Sequence, residues 1–285
     1  MRHEVTLLDV ESQRNTSQIK CEKIQASVLD RPALLKALEH KEAVVHLAAV
    51  SRVEWGQLRP FECVNTNVLG TSNVLEAIRA SETRPLFILV SSREVYGEPS
   101  LLPVSESHPK RPISIYGASK LAAESLTRTY CESFHIPYAI LRLSNTYGSA
   151  RDLPERVIPR FAKAALSGST LVVNGGKQCL DFTYIKDVTK GIALLVENLL
   201  DGKEGLIGQD LHFVTGKGTT VLDLARLIKE IAGSQSEIEV RDSRAFDVQG
   251  FVGDPSKTLK LLQFELGVDL SRGLHEYLKE LREQD

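Results

Sequence analysis

Short apolar runs alternate with apolar positions at helical spacing over the first half of the chain, the pattern of strand–helix–strand units and a parallel sheet. The pattern predicts a strand over Val5–Leu8 that ends in Asp9. Asp30 then caps a helix that has Pro32 in its first turn and runs to about Leu38. A second strand over Ala43–Leu47 is followed by an amphipathic helix around Val64–Arg79. Leu86–Val90 is apolar throughout, as in a strand covered on both faces. Ile115–Ser133 reads as a helix and Tyr138–Leu143 as a strand. After Gly148 the rhythm shortens, with Pro154, Pro159, Gly168, Gly175 and Gly176 punctuating smaller elements, which predicts a second, smaller lobe. Apolar spacing places further helices over Asp187–Asn198, Thr220–Ala232 and Leu274–Leu281.

Composition narrows the class more than the function. Hydrophobic and charged fractions of 42% and 25% are ordinary for a globular α/β protein. A formal net charge of −2 without a Lys/Arg cluster argues against a nucleic-acid surface. Cys21, Cys63, Cys131 and Cys179 are scattered without CxxC spacing, so reduced thiols are expected rather than a disulfide framework or metal site. Apolar runs such as Ala43–Val50 are too short to span a bilayer. The start, Met1-Arg2-His3-Glu4, has no leader pattern, and a cytoplasmic protein without a membrane partner is expected.

Candidate chemistry clusters at the ends of the strands. Tyr116-Gly117-Ala118-Ser119-Lys120 has YxxxK spacing, which at a helix start puts both side chains on one face. An ammonium one turn away favours a phenolate, and such a tyrosine can take a proton from a substrate hydroxyl. A tyrosine and a lysine on an ordinary helix would show the same spacing. Ser91-Ser92-Arg93-Glu94-Val95-Tyr96-Gly97 follows a buried-strand pattern, where open α/β sheets bind ligands, although a serine-rich turn would look alike. Val45-His46-Leu47-Ala48-Ala49 ends its strand in small residues that allow close approach of a cofactor, or simply mark a buried strand end.

Taken in order, HLAA, NTNVLGT at Asn65–Thr71, SSREVYG, YGASK, LRLSNTYG at Leu141–Gly148 and DFTYIKDV at Asp181–Val188 resemble the extended short-chain dehydrogenase/reductases. Within them the chain is most similar to the NAD-dependent nucleotide-sugar epimerases and dehydratases of UDP-glucose 4-epimerase type. The resemblance implies a Rossmann-like doubly wound parallel sheet with a smaller C-terminal α/β substrate lobe. Residues 1–148 and 181–202 would form the dinucleotide-binding domain, and 149–180 with 203–285 the substrate lobe. It implies NAD as cofactor and a UDP- or dTDP-linked sugar as substrate. By the same resemblance Tyr116 is the acid/base, Lys120 tunes it and holds the nicotinamide ribose, and Ser92 bonds the reacting sugar oxygen. Asp9, Leu47, Ala48, Ala49, Asn67 and Ser91 would line the cofactor, Asp9 taking the ribose hydroxyls. Asn145 and Arg244 would contact the substrate diphosphate, for which an arginine fork is suited. A homodimer built on helices near Leu69–Ala80 and Ile115–Ser133 is implied as well.

The implied activity is epimerisation at C4 through a transient keto-sugar. Glu94 keeps an alternative open, since it stands where dehydratases and decarboxylases carry a carboxylate, and a structural carboxylate paired with Arg93 or another base is equally compatible. A non-catalytic homologue is the alternative from another class. Leu180 replaces the arginine expected before Asp-Phe, Ser27 stands at the adenine-reading acid, and Arg93 replaces a dehydratase aspartate. The family's strand–GxxGxxG–helix, with its ribose acid about 20 residues on, has no counterpart in the eight residues before Asp9. That first strand, loop and helix are therefore expected to be missing, with rearrangement at a central sheet seam and weak NAD binding by the chain as it stands.

Overall fold

The computed structural model describes residues 3–11, 20–243, 248–264 and 266–283. The first elements are β1 (Thr6–Asp9), β2 (Glu22–Gln25), α1 (Arg31–Ala37), β3 (Ala43–His46), α2 (Val53–Leu58) and α3 (Pro60–Val64). Then come α4 (Gly70–Ala80), β4 (Leu86–Ser92), α5 (Ile115–Phe134), β5 (Tyr138–Leu143), β6 (Asn145–Tyr147) and α6 (Val157–Ser167). They are followed by β7 (Leu171–Asn174), β8 (Cys179–Tyr184), α7 (Ile185–Leu200), β9 (Gln209–Phe213), β10 (Gly218–Thr220) and α8 (Val221–Ala232). The last are β11 (Ile238–Arg241), β12 (Gly250–Phe251), α9 (Ser256–Leu262) and α10 (Leu270–Arg282). Contacts divide the chain into two compact units. The first is Met1–Val95, Lys110–Leu141 and Val196–Asp210, and the second is Tyr96–Pro109, Arg142–Leu195 and Leu211–Asp285.

In the first unit β3 and β4 run parallel, Ala43 opposite Leu86 and His46 opposite Leu89, within a sheet ordered β3-β4-β5-β9. Parallel pairing is what a strand without polar alternation predicts, and Leu86 to Ser91 are all buried. Phe87 and Leu89 meet Leu75 and Ile78 of α4 and Ala123 of α5 in one core. Each fully buried side chain of this size contributes roughly 1.5–3 kcal/mol. β1 and β2 form a separate parallel pair, with Thr6 opposite Glu22 and Asp9 opposite Gln25. Among the described residues no ladder joins β1 to β3.

One expected helix differs. Val64–Arg79 is α3, a π-helical turn over Asn65–Leu69, and α4. Asn67 turns its amide inward within that turn, and Gly70 follows it against Val28, where a Cβ would come within 2.6 Å of a Val28 methyl. Inward polar bonding and close packing thus displace the regular turn, a distortion that apolar spacing does not register.

The second unit has its own core. β8 carries β10, β12 and β6 as neighbours, and β7 pairs with β11. Phe161, Leu171, Tyr184, Leu224, Leu274 and Tyr277 fill the space between these strands and helices α6, α8 and α10.

Candidate active site

The site is built on the carboxyl end of β4. Its last residues, Val90, Ser91 and Ser92, lead into a 3-10 turn over Arg93–Tyr96 that carries Glu94. The Ser92 hydroxyl accepts the Glu94 backbone N–H at 3.2 Å, which fixes the turn. Glu94 is buried, and its Oε1 lies 2.8 Å from an Arg93 Nη. β3 runs parallel and in register with β4, so Leu47, Ala48 and Ala49 leave the sheet at the same edge. Leu47 is exposed, and the two alanines are half-buried.

Helix α5 starts against this edge. Ser114 caps it by accepting the Gly117 N–H at 3.0 Å. A Cβ on Gly117 would lie 2.5 Å from the Glu94 carbonyl oxygen, so only glycine lets the first turn approach so closely. Tyr116 packs with Val50 and Cys63, and partly buried Val53 and Trp55 complete that cluster. Lys120, one turn on, is 3% exposed and donates to the Val90 carbonyl at 2.6 Å. Burial pushes its ammonium down to about 8, while Glu124 and Cys63 oppose that fall.

Asn67 is almost wholly buried. Its amide oxygen accepts the Val50 N–H at 2.8 Å, and its nitrogen donates to Ser119 Oγ at 2.8 Å and to the Val50 carbonyl at 3.2 Å. It therefore ties the segment after Ala49 to the face of α5 that bears Tyr116 and Lys120. Ser91 donates to the buried Glu124 carboxylate at 2.7 Å. Asp9 ends β1 and accepts the Glu11 N–H at 2.8 Å. The structure thus joins Ser91, Ser92, Glu94, Lys120 and Asn67 to α5 and β4 by direct bonds, whereas Asp9 stands on a separate strand pair.

In the second unit Asn145 lies on β6 and donates to the Asp181 carbonyl at 3.0 Å. Arg244 lies outside the described residues. A cavity of about 320 Å³ in this unit is lined by Lys177, Gln178, Arg241 and Ser243 among others.

Three polar residues escaped the sequence reading. His46 is 4% exposed, with Nε2 3.0 Å from the Thr71 hydroxyl. Burial, helped by the Lys120 charge, pushes its imidazole down to about 3, so it stays neutral. Asp181 is fully buried and accepts backbone N–H groups from Thr215 at 2.9 Å and Gly216 at 2.9 Å, although burial dominates and raises its carboxyl. Glu124 is the third. An acidic residue at helical spacing is the only signal of it in the sequence, and that signal is shared with many solvated positions.

Residues 1–209 match the NAD dependent epimerase/dehydratase family. A putative UDP-glucose 4-epimerase of Methanocaldococcus jannaschii is 32% identical over 278 residues, covering 95% of this chain and 88% of the relative. The crystal structure of Thermotoga maritima UDP-glucose 4-epimerase with UDP-glucose superposes with a TM-score of 0.91 at 27% identity, covering 99% of this chain and 92% of that one. Bacillus cereus UDP-glucuronic acid 4-epimerase, in complex with UDP-glucuronic acid and NAD, gives a TM-score of 0.86 at 29% identity, covering 99% and 92%.

Proposed function

The chain belongs to the NAD dependent epimerase/dehydratase family, and from that premise we propose that it inverts C4 of a UDP- or dTDP-linked sugar. The observation that carries this reading is the placement of Tyr116 and Lys120 one turn apart on α5, with the Lys120 ammonium bonded to the end of β4 beside Ser92. The half-buried Ala48 and Ala49 at that edge fit close approach of a flat cofactor, and the desolvated Lys120 fits a ribose hydroxyl. Asp9, Leu47, Ala48, Ala49, Asn67, Ser91, Tyr116 and Lys120 would hold NAD, Asn67 through the Val50 segment that it pins. When bound, NAD supplies a reversible hydride acceptor at the sugar carbon.

Tyr116 takes the proton of the sugar 4-hydroxyl as the phenolate and gives it back as the phenol. The Lys120 ammonium favours the phenolate electrostatically. Ser92 donates to the same sugar oxygen and holds it in line with Tyr116. Asn145 and Arg244 bind the diphosphate, for which an arginine fork is suited. By role, residues 1–148 and 181–202 bind the dinucleotide, and 149–180 with 203–285 bind the sugar nucleotide. This division is cut differently from the two packing units. A homodimer through the α4 and α5 region belongs to the same proposal.

The runner-up chemistry, loss of water or carbon dioxide with Glu94 as base, is disfavoured by one contact. An oxygen of Glu94 is already committed to Arg93 at 2.8 Å. Substituting Glu94→Gln and following product by nuclear magnetic resonance separates the two. Epimerisation predicts turnover per folded molecule preserved, with stability lowered by about 1–3 kcal/mol for the altered buried contact. A stable but inactive variant, together with a dehydrated or decarboxylated product from the native chain, would transfer the role to Glu94.

A further inference from the structure

Positions 116, 120, 124 and 128 of α5 are four apart and form one stripe along the helix, occupied by Tyr, Lys, Glu and Arg. The first two belong to the proposed acid/base pair, and the last two form a connected chain behind it. Glu124 is 0% exposed. One of its oxygens accepts the Ser91 hydroxyl at 2.7 Å, and the other accepts an Arg128 Nη at 3.1 Å. Arg128 reaches on to Asp210 of β9 with two further bonds, at 2.5 and 3.0 Å. Lys120 bonds the carbonyl of Val90, the residue just before Ser91. The stripe therefore clamps two successive residues at the end of β4, immediately before Ser92.

We propose that Glu124 is a positioning residue whose carboxylate is the buried counter-charge for the Lys120 ammonium and, through Ser91, holds the end of β4 against Tyr116. This rests on Tyr116 and Lys120 being the acid/base pair. A carboxylate withdrawn from water is costly unless it is paired and hydrogen-bonded, and here both oxygens are bonded. Lys120 is a buried ammonium with a single neutral acceptor named so far, the Val90 carbonyl, so it needs an anion nearby. Its surroundings offer few. Tyr116 and Glu124 flank it on α5, Cys63 faces it from α3, and His46 lies on β3. Burial raises the Cys63 thiol, with Ser119 and Lys120 opposing, and His46 stays neutral. Among these groups Glu124 is the carboxylate, and it opposes the fall that burial imposes on Lys120. Arg128 and Asp210 set how much of that negative charge Lys120 experiences, because Arg128 shares the Glu124 carboxylate and is itself shared with Asp210.

The test reads Lys120 directly and needs no turnover, so it fails or succeeds apart from the reaction assigned to the site. Lysine side chains labelled with carbon-13 and nitrogen-15 are titrated by nuclear magnetic resonance, and the Lys120 signal is identified by its loss in Lys120→Arg. In Glu124→Gln, an isosteric change whose amide oxygen still accepts from Ser91, the Lys120 midpoint should fall by about one pH unit. In Arg128→Gln it should move the opposite way, upward, because Glu124 is left without its compensating guanidinium. A purely structural Glu124 has no reason to give shifts of opposite sign. An unchanged midpoint in folded Glu124→Gln would overturn the proposal. Should that variant fail to fold, an unchanged or lowered midpoint in Arg128→Gln would overturn it equally.

Discussion

Burial of the His46 imidazole beside Lys120 sets a pH dependence of stability with a definite sign. Its folded value is about 3, against an ordinary value of 6.5. The unfolded chain therefore binds a proton that the folded chain excludes, and stability falls as pH drops below 6.5. Between pH 7.5 and 5 this one group should remove about 2 kcal/mol. Urea denaturation at the two pH values measures it, and His46→Gln should flatten that part of the curve. An undiminished dependence in the variant would assign the effect to other groups. The histidine was visible in the sequence only as part of HLAA, and its charge state is set first by burial and then by a lysine 74 positions away. Tyr116, Lys120, Ser92 and Glu94 were legible for the opposite reason. Their relation is local, with fixed spacing on one helix or just past one strand.

Elements impose constraints that no single side chain carries. The first turn of α5 lies so close to the turn after β4 that Gly117 has the Glu94 carbonyl where a Cβ would stand, at 2.5 Å. Both partners are backbone, so Gly117→Ala must move the helix start or the Glu94 turn. Overpacking of this kind costs about 1–3 kcal/mol. The variant should lose that much stability in urea denaturation and lose turnover beyond the folded fraction, since Tyr116 sits on one of the segments forced apart and Ser92 is bonded to the other. Retention of both would show that the approach is looser than described. The existence of α5 was readable from its apolar spacing and its Ser114 cap. The π turn at Asn65–Leu69 was not, because its cause is Asn67 reaching Val50 and Ser119, residues 17 and 52 positions away. Helix α2, which brings Val53 and Trp55 to Tyr116, is equally silent, being six residues long with too few apolar positions to show a period.

At the scale of the molecule, two cores of comparable extent fold from one chain, and the proposed proton chemistry sits within the first. The alternation of apolar runs and helical patterns made the parallel sheet legible. It could not give strand neighbours, which depend on crossovers, so the separate β1–β2 pair emerged only from the ladders. No helix among the described residues is long and apolar enough to cross a membrane. The central claim is that Tyr116 moves a proton while hydride leaves and returns at one sugar carbon. UDP-glucose carrying deuterium at C4, incubated with the chain and NAD and followed by nuclear magnetic resonance, tests it most directly. The account predicts product inverted at C4 that retains the deuterium, formed roughly 10²–10⁴-fold more slowly by Tyr116→Phe. Deuterium displaced from C4 in a dehydrated sugar, or an undiminished rate in Tyr116→Phe, would contradict it.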